Sequence, residues 1–294
     1  MPKVCRGLEK RKRRKKVIDL HLHTTASDGS LSPSELVKMA VERGMEAISI
    51  TDHDTIDGLA EGRKKAEELG IKFINGMELS SEWDGREVHI LGYFFDTESE
   101  MLKKELAKMK EARDNRNVKI LEKLRRYKMD ISHDELKEEA GGDIVSRAHI
   151  ANLILKKGYV YSKGEIFKRY LGIGGLAYVP KGDLTPERAV EIIIEAGGIA
   201  SLAHPKYISE DEMKLTKIIN TLKDAGLKAM EVYYSNFTLK EVIKYKRIAL
   251  KNGLLLTGGS DYHGGNKGNI EIGDGAVPLE VCSRMEDLIL ENRS

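Results

Sequence analysis

An α/β protein, with a mostly parallel sheet that is open or closed into a barrel and an all-helical insertion, is the fold class the sequence predicts. Three observations predict it. Short apolar runs of strand length alternate with helical periodicity over residues 17–97. The alternation stops over 98–182, a stretch rich in Lys, Glu and helix formers. It resumes over 183–294. Repeated βα units imply neighbouring strands that run parallel. The expected organisation is a basic, flexible leader (1–16), a barrel domain made of 17–97 and 183–294, and an inserted helical domain (98–182).

In chain order, Val17-Ile18-Asp19-Leu20-His21 reads as the first strand. Ser32-Pro33-Ser34-Glu35 then supplies an N-cap, a proline at the first helical position and a capping-box glutamate. That helix runs to about Arg43 and Gly44 stops it. Ala47–Ile50 is a second strand, Ile56–Leu69 a helix ended by Gly70, and Lys72–Leu79 a third strand. Asp84-Gly85 forms a turn before a fourth strand, Val88–Phe95. Glu98–Tyr127 fits one long helix, with shorter ones at Asp134–Glu139, Arg147–Lys157 and Glu165–Tyr170. After the insertion, Thr185-Pro186 opens a helix to Ala196, followed by the strand Gly198–Ala203 and a helix to about Asp224. The strand Ala229–Tyr234, the helix Leu239–Lys251, the strand Leu254–Thr257 and a helix near Met285–Leu290 complete the chain.

Composition narrows the class. The 294 residues, 40% of them apolar, suit one large domain or a domain carrying a smaller one. No apolar run reaches membrane-spanning length, and the charged N-terminus lacks the apolar stretch of a secretory signal. A soluble cytoplasmic protein with no membrane association is expected. Lys and Arg total 49 against 47 Asp and Glu, a net charge of +2, which argues against a chain that is basic all over. The run of bases from Lys10 to Lys16 has no interleaved aromatics, so it reads as a solvated leader in preference to a nucleic-acid arm. Cys5 and Cys282 are the only cysteines. A disulfide framework is not expected, and any metal must be held by His, Asp and Glu.

The chemistry lies in the histidines. Asp19-Leu20-His21-Leu22-His23 puts His21 and His23 at i, i+2 on a strand, facing the same side, and Asp28-Gly29 follows. Thr51-Asp52-His53-Asp54-Thr55 comes directly after strand two, and Glu78 ends strand three. Ala203-His204-Pro205 ends the strand after the insertion, and Ser260-Asp261-Tyr262-His263 repeats the i, i+2 spacing. His89 lies near a strand start. Taken singly, His89 or His204 reads more readily as a satisfied core histidine, and Glu78 as a salt-bridged acid. Convergence changes the reading, because strand C-terminal ends in parallel βα folds gather on one face, where active sites form. His21, His23, Asp28, His53, Glu78, His89, His204, Asp261 and His263 exceed what one tetrahedral ion needs. They point to two or three divalent ions with a bridging carboxylate. The mixed set suits Mn, Fe or Zn, with Mg a further candidate, and does not suit Ca.

These motifs, in this order and spacing, resemble the polymerase and histidinol phosphatase (PHP) superfamily, and the resemblance covers the chain from Val17 onward. It implies a distorted seven-stranded β/α barrel with a trinuclear metal site. His21, His23, Glu78 and Asp261 would hold one ion. Glu78 would bridge to a second held by His89 and His204, and Asp28, His53 and His263 would hold the third. Several superfamily members carry His at the position of Asp28. In the insertion, Ser146-Arg147-Ala148-His149-Ile150-Ala151, Gly158-Tyr159-Val160 and Tyr170-Leu171-Gly172 resemble the branch that includes nucleoside 3′,5′-bisphosphate phosphatases and a 5′-to-3′ exoribonuclease.

Arg147 and His149 fall near a predicted helix start, where backbone amides favour an anion. Their i, i+2 spacing keeps them off one helix face, so one belongs to the cap or loop. Arg147 can grip a phosphate or pair with an acid such as Asp143. Arg113 and Arg116, at i, i+3, and Lys181 are further cations for substrate phosphate. The expected reaction is phosphoester hydrolysis by a metal-activated hydroxide, since metal binding lowers the pKa of water from roughly 16 towards roughly 7. The substrate is a small nucleotide such as a 3′,5′-bisphosphate, or the 5′ end of short RNA. Asp54 and His149 are the candidates to protonate the leaving oxygen. Asp19 and Asp52 support the ligands or pack against backbone amides. Three other readings stand beside this one: a histidinol-phosphate-type phosphatase, an amidohydrolase barrel, and a non-catalytic metal-stabilised module. The amidohydrolase reading lacks a lysine late on a strand. The non-catalytic one conflicts with an intact ligand set.

Overall fold

The computed structural model describes residues 17–142, 144–180, 184–275 and 277–293. The basic leader, Asp143 and Lys181 lie outside the described residues. The chain opens with β1 (Val17–Leu22), α1 (Pro33–Glu42), β2 (Ala47–Ile50), α2 (Leu59–Leu69), β3 (Lys72–Trp83) and β4 (Arg86–Tyr93). Helices α3 (Glu100–Arg125), α4 (His133–Ala140), α5 (Arg147–Lys156) and α6 (Lys163–Ile166) follow, and α6 runs into a π-helical turn, Phe167–Leu171. Then come α7 (Pro186–Glu195), β5 (Ile199–Leu202), α8 (Glu212–Asp224), β6 (Ala229–Tyr234), α9 (Leu239–Lys251), β7 (Leu255–Gly259), β8 (Val277–Pro278) and α10 (Glu280–Arg293).

The α/β barrel class is as expected. Seven strands form the wall in the order β7-β6-β5-β4-β3-β2-β1, and a short eighth, β8, adds to β1. The seam closes where the segment after β7 bonds to β1: Asp261 N donates to His21 O (2.8 Å) and His23 N to Tyr262 O (2.9 Å). A Cβ at Gly259 would collide with the backbone nitrogen of His21, so this approach needs glycine.

Within the seven-stranded wall, one strand breaks the parallel pattern, and β8 adds to β1 antiparallel. β4 pairs antiparallel with both β3 and β5, whereas β1–β2–β3 and β5–β6–β7 are parallel runs. β3 and β4 form a hairpin closed by Asp84 (φ 50°) and Gly85 (φ 68°), the positive-φ pair that a two-residue hairpin turn requires. Reversal puts the start of β4 at the end of the barrel where its neighbours finish. His89 therefore lies level with the strand-end clusters. Its position near a strand start was an objection only for a strand running parallel to the rest.

α1, α2, α7, α8 and α9 cover the wall through Leu36, Val37, Ala66, Ile192, Ile193, Ile218, Leu222 and Ile248, packed on Ile48, Ile50, Leu79, Ile90 and Val232. α3 spans two cores. Its Leu102 and Leu106 join this barrel cluster. Its Ile120, Leu121 and Leu124 join a separate one with Leu136, Ile150, Ile154, Ile166 and Leu171. Among the described residues no helix is long and apolar enough to cross a membrane.

Candidate metal centre

The site grows from strand ends. Leaving β1, His21 and His23 both point into the barrel mouth, fully buried, with ring centroids 5.2 Å apart. The loop to α1 carries Asp28, and Asp52 folds that loop. Asp52 Oδ1 accepts from Thr24 N (2.7 Å) and Ser27 Oγ (2.6 Å), and its Oδ2 accepts from Thr24 Oγ1 (2.6 Å). Asp19 likewise spends its oxygens on backbone amides, those of Ser260 (2.9 Å) and Gly273 (2.8 Å). Burial lifts its carboxyl to about 6 against those bonds. Asp19 thus packs against backbone amides, and Asp52 holds the Asp28 loop through one amide and two hydroxyls.

Glu78 stands at the centre. His23 Nε2 (3.2 Å), His53 Nδ1 (3.2 Å) and His21 Nε2 (3.3 Å) surround its Oε2, while His204 Nε2 (2.9 Å) and His89 Nδ1 (3.0 Å) face its Oε1. Asp261 Oδ1 lies 3.4 Å from His23 Nε2 and 3.5 Å from His21 Nε2. Asp28 Oδ1 lies 3.2 Å from His263 Nε2. All nine predicted ligand residues therefore meet in one chamber. Four sets bring a ligand atom from each member within 4.8 Å of the others: His23/Asp28/His53/His263, His21/Glu78/His204, His21/His23/Asp261 and His53/Glu78/His89. Glu78 appears in two of them. His23 falls with Asp28 as well as with His21, a sharing the motifs alone did not suggest.

A buried ring nitrogen without a hydrogen bond costs roughly 1–3 kcal/mol. His21 Nε2 and both ring nitrogens of His23 make none, although carboxylate oxygens stand close by. Burial opposes charge on Glu78, but His53, His21 and His89 outweigh it and hold the carboxyl well below the usual range. Burial opposes charge on Asp261 too, and Lys267 and His21 overcome it. Burial pushes the His53 imidazole well down, towards the neutral form that binds metal. Ionised carboxylates facing orphaned imidazole nitrogens are the donor set a divalent transition ion takes.

Three of the six described non-glycine residues with positive φ lie here. Asp54 (φ 53°), His204 (φ 25°) and Asp261 (φ 58°) hold a conformation that persists only where the surroundings impose it.

Three supporting residues escaped the sequence reading. Glu231 of β6, fully buried, accepts from His21 Nδ1 (2.9 Å) with one oxygen and from His204 N (2.7 Å) with the other. A lone acid inside the apolar strand Ala229–Tyr234 was its signal. Tyr234 Oη donates to Asp261 Oδ2 (2.7 Å), and Lys267 pairs with the same oxygen. That leaves Asp261 Oδ1 facing the histidines. Lys267 lies in a glycine-rich loop, which carries no periodic signal.

A cavity of about 410 Å³ adjoins the cluster. Asp28, His53, His89 and His263 line one side, and Arg113, Arg116, Arg147, Lys163 and Phe167 belong to the helical segment opposite. Arg116 is 5% exposed and its Nε has no hydrogen-bond partner. Burial pulls the guanidinium down to about 10 for Arg116 and about 9 for Arg113. Arg147 pairs with Glu87 and donates Nη1 to Leu171 O (3.2 Å). Its acidic partner comes from β4, across from its own helix. Asp54 has neither oxygen free: Oδ1 accepts from Ser80 N (2.6 Å) and Oδ2 pairs with Arg113. It does not line the 410 Å³ cavity, and its contacts make it a support for Arg113. His149 belongs to the α5 cap. Its Nδ1 accepts from Ser146 N (3.2 Å), and burial lowers its pKa. The neutral ring then carries its proton on Nε2.

The PHP domain family matches residues 19–194, and the chain belongs to it. A 5′-3′ exoribonuclease from Haemophilus influenzae is 38% identical over 84% of this chain and 90% of its own length. A 3′,5′-nucleoside bisphosphate phosphatase from Chromobacterium violaceum is 32% identical over 90% and 93%. A solved structure described as a metal-dependent phosphoesterase, from Bifidobacterium adolescentis, superposes with a TM-score of 0.82 at 25% identity, covering 92% of this chain and 95% of the other. The chain is a metal-dependent phosphoric ester hydrolase.

Proposed function

We propose that the enzyme acts on a nucleotide whose 5′-phosphate rests against the arginines of the insertion and whose 3′-phosphoryl group lies at the histidine cluster. The observation that carries this reading is the 410 Å³ cavity, which has candidate ligands on one side and buried cations, among them the unpartnered Nε of Arg116, on the other. Its size falls within the roughly 300–1,000 Å³ of small-molecule sites. One reaction then covers both named relatives. The oxygen of water bonds to phosphorus, the P–O3′ bond breaks, and O3′ leaves with a proton. A 3′,5′-bisphosphate yields phosphate and the 5′-monophosphate. A 5′-phosphorylated RNA yields the same 5′-monophosphate and a chain shorter by one.

Two or three Mn, Fe or Zn ions would be held by His21, His23, Glu78 and Asp261, by Glu78, His89 and His204, and by Asp28, His53 and His263. They would supply the positive charge that acidifies water and neutralises phosphoryl oxygens. Around them Glu231 orients His21 and His204, as carboxylates behind ligating histidines do. Tyr234 and Lys267 hold Asp261 by one oxygen. Arg116 and Arg113 bind the 5′-phosphate, and Asp54 keeps Arg113 aimed. His149 is not among the residues that line the cavity; it holds the α5 cap whose Ser146, Arg147 and Ala148 do. Arg147 joins the insertion to β4 through Glu87 and presents its remaining N–H groups to the cavity. The division of the chain into barrel (17–97 and 183–294) and helical insertion (98–182) is part of this proposal, because it puts ligands and cations on separate bodies.

The test is turnover of adenosine 3′,5′-bisphosphate and of a 5′-phosphorylated RNA oligomer by Mn-loaded protein, with His23→Ala and Asp261→Ala as controls. AMP from both substrates, absent in both variants and slowed when the substrate has a 5′-hydroxyl, is expected. No turnover with Mn, Fe, Zn or Mg, despite stoichiometric metal, would sink the reading.

A further inference from the structure

The histidine cluster opens on a second side. There a smaller cavity of about 240 Å³ brings Tyr207 and Tyr234 against Glu78, His89 and His204. It shares His53, His89, Glu87 and Lys267 with the larger cavity, so the two meet at the candidate ligands.

Tyr207 is the unusual residue of this opening. It is 55% exposed, yet it stands on a turn fixed from several directions. His204 enters the turn with φ 25° and ψ 62°, and Tyr207 N donates back to His204 O (3.1 Å). Arg86 Nη1 donates to Ile208 O (2.9 Å) from β4. Lys206 Nζ pairs with Glu241 Oε1 (2.6 Å) in the first turn of α9. The Tyr207 ring lies 5.6 Å from the His204 ring and edge-on to Tyr234 at 6.1 Å. A strained, anchored turn thus offers a bare aromatic ring to solvent immediately beside a candidate ligand.

We propose that this second opening takes the nucleotide that follows the scissile phosphate in an RNA chain, with its base stacked on Tyr207. The inference rests on the reading that the arginine-lined cavity holds the 5′-terminal nucleotide. Once that nucleotide fills one cavity and its 3′-phosphoryl group lies at the ligands, whatever else that phosphorus carries must leave by the other side. In a bisphosphate it carries nothing more. In RNA it carries the rest of the chain. Stacking tolerates every base, because every base has a π face, so the opening would accept any nucleotide at that position. Lys267, common to both cavities, puts a cation beside the phosphate between the two nucleotides.

The experiment compares wild type, Tyr207→Ala and Tyr207→Trp, full-length and Mn-loaded, on a 5′-phosphorylated tetranucleotide and on adenosine 3′,5′-bisphosphate. The tetranucleotide-to-bisphosphate ratio of kcat/KM should fall roughly 5- to 100-fold in Tyr207→Ala and recover in Tyr207→Trp. A second readout needs no turnover: 2-aminopurine at the second position of a phosphorothioate-linked oligonucleotide should be quenched on binding to wild type and Tyr207→Trp, and not to Tyr207→Ala. An unchanged ratio with unchanged quenching overturns the inference. So does an equal loss on both substrates with quenching retained, which would make Tyr207 a support for the ligand turn. If wild type cleaves the bisphosphate but not the tetranucleotide, the inference fails and the function stands. If it cleaves neither, the functional reading fails, and the quenching still decides where the second base sits.

Discussion

The two sides of the large cavity are built differently. The candidate ligands on the barrel leave strand ends and are held from within the barrel: Asp19 bonds to the amides of Ser260 and Gly273, and Glu231 to His21 Nδ1 and His204 N. The cations on the insertion are positioned by side chains, Arg113 by Asp54 and Arg147 by Glu87, each pair joining the helical segment to the barrel. Chemistry that must not vary is tied to the rigid scaffold. On the proposed function, phosphate recognition depends on those ion pairs, and substitutions there would leave the ligand cluster undisturbed.

Substitutions can break or sharpen that contrast. Glu231→Gln removes charge behind His21 and His204, and metal affinity by calorimetric titration should drop by up to 100-fold, with kcat/KM falling alike on every substrate. A substrate-selective loss would erase the distinction between the two sides. Arg116→Met should leave metal content intact and lower kcat/KM on adenosine 3′,5′-bisphosphate roughly 10-fold, the worth of one charge-assisted hydrogen bond, with little change on a 3′-monophosphate. Equal losses on the two would show that Arg116 does not read the 5′-phosphate. The smallest effect belongs to Ser146→Ala. Losing the α5 N-cap, where Ser146 Oγ accepts from Ala148 N (3.1 Å), should cost about 1 kcal/mol and lower Tm by roughly 2 °C. A raised KM is expected too, because that cap sets Arg147 at the cavity. A wild-type KM would separate the cap from the substrate contact.

The two sides also differ in how far the sequence disclosed them. Strand periodicity and i, i+2 spacing are local, so His21 with His23 and Asp261 with His263 were legible as pairs, and the strand-end rule brought them together. His89 was legible as a residue but not as a position, because strand direction is a tertiary fact that no short window contains. Asp54 read as an acid and His149 as a catalytic residue. The fold adds the partners that no local pattern shows: Ser80 and Arg113 for Asp54, and its own helix cap for His149. Glu231 could have been flagged as an acid in a buried strand. Lys267 had no such signal, since its partner Asp261 is near in sequence but the loop between them follows no regular pattern.

The reversed strand also sets the scale of the insertion. β4 runs away from the ligand end of the barrel, so the chain leaves it at the far side. α3 must then travel back, and its 26 residues span about 39 Å. Arg113 and Arg116 lie partway along that rod, at a height set by the number of residues before them. α3 is in effect a ruler: removing one turn ahead of Arg113 would draw both guanidinium groups about 5 Å away from the ligands. A lineage that lengthened or shortened this helix would move the two guanidinium groups along the cavity, while every candidate ligand stayed where it was.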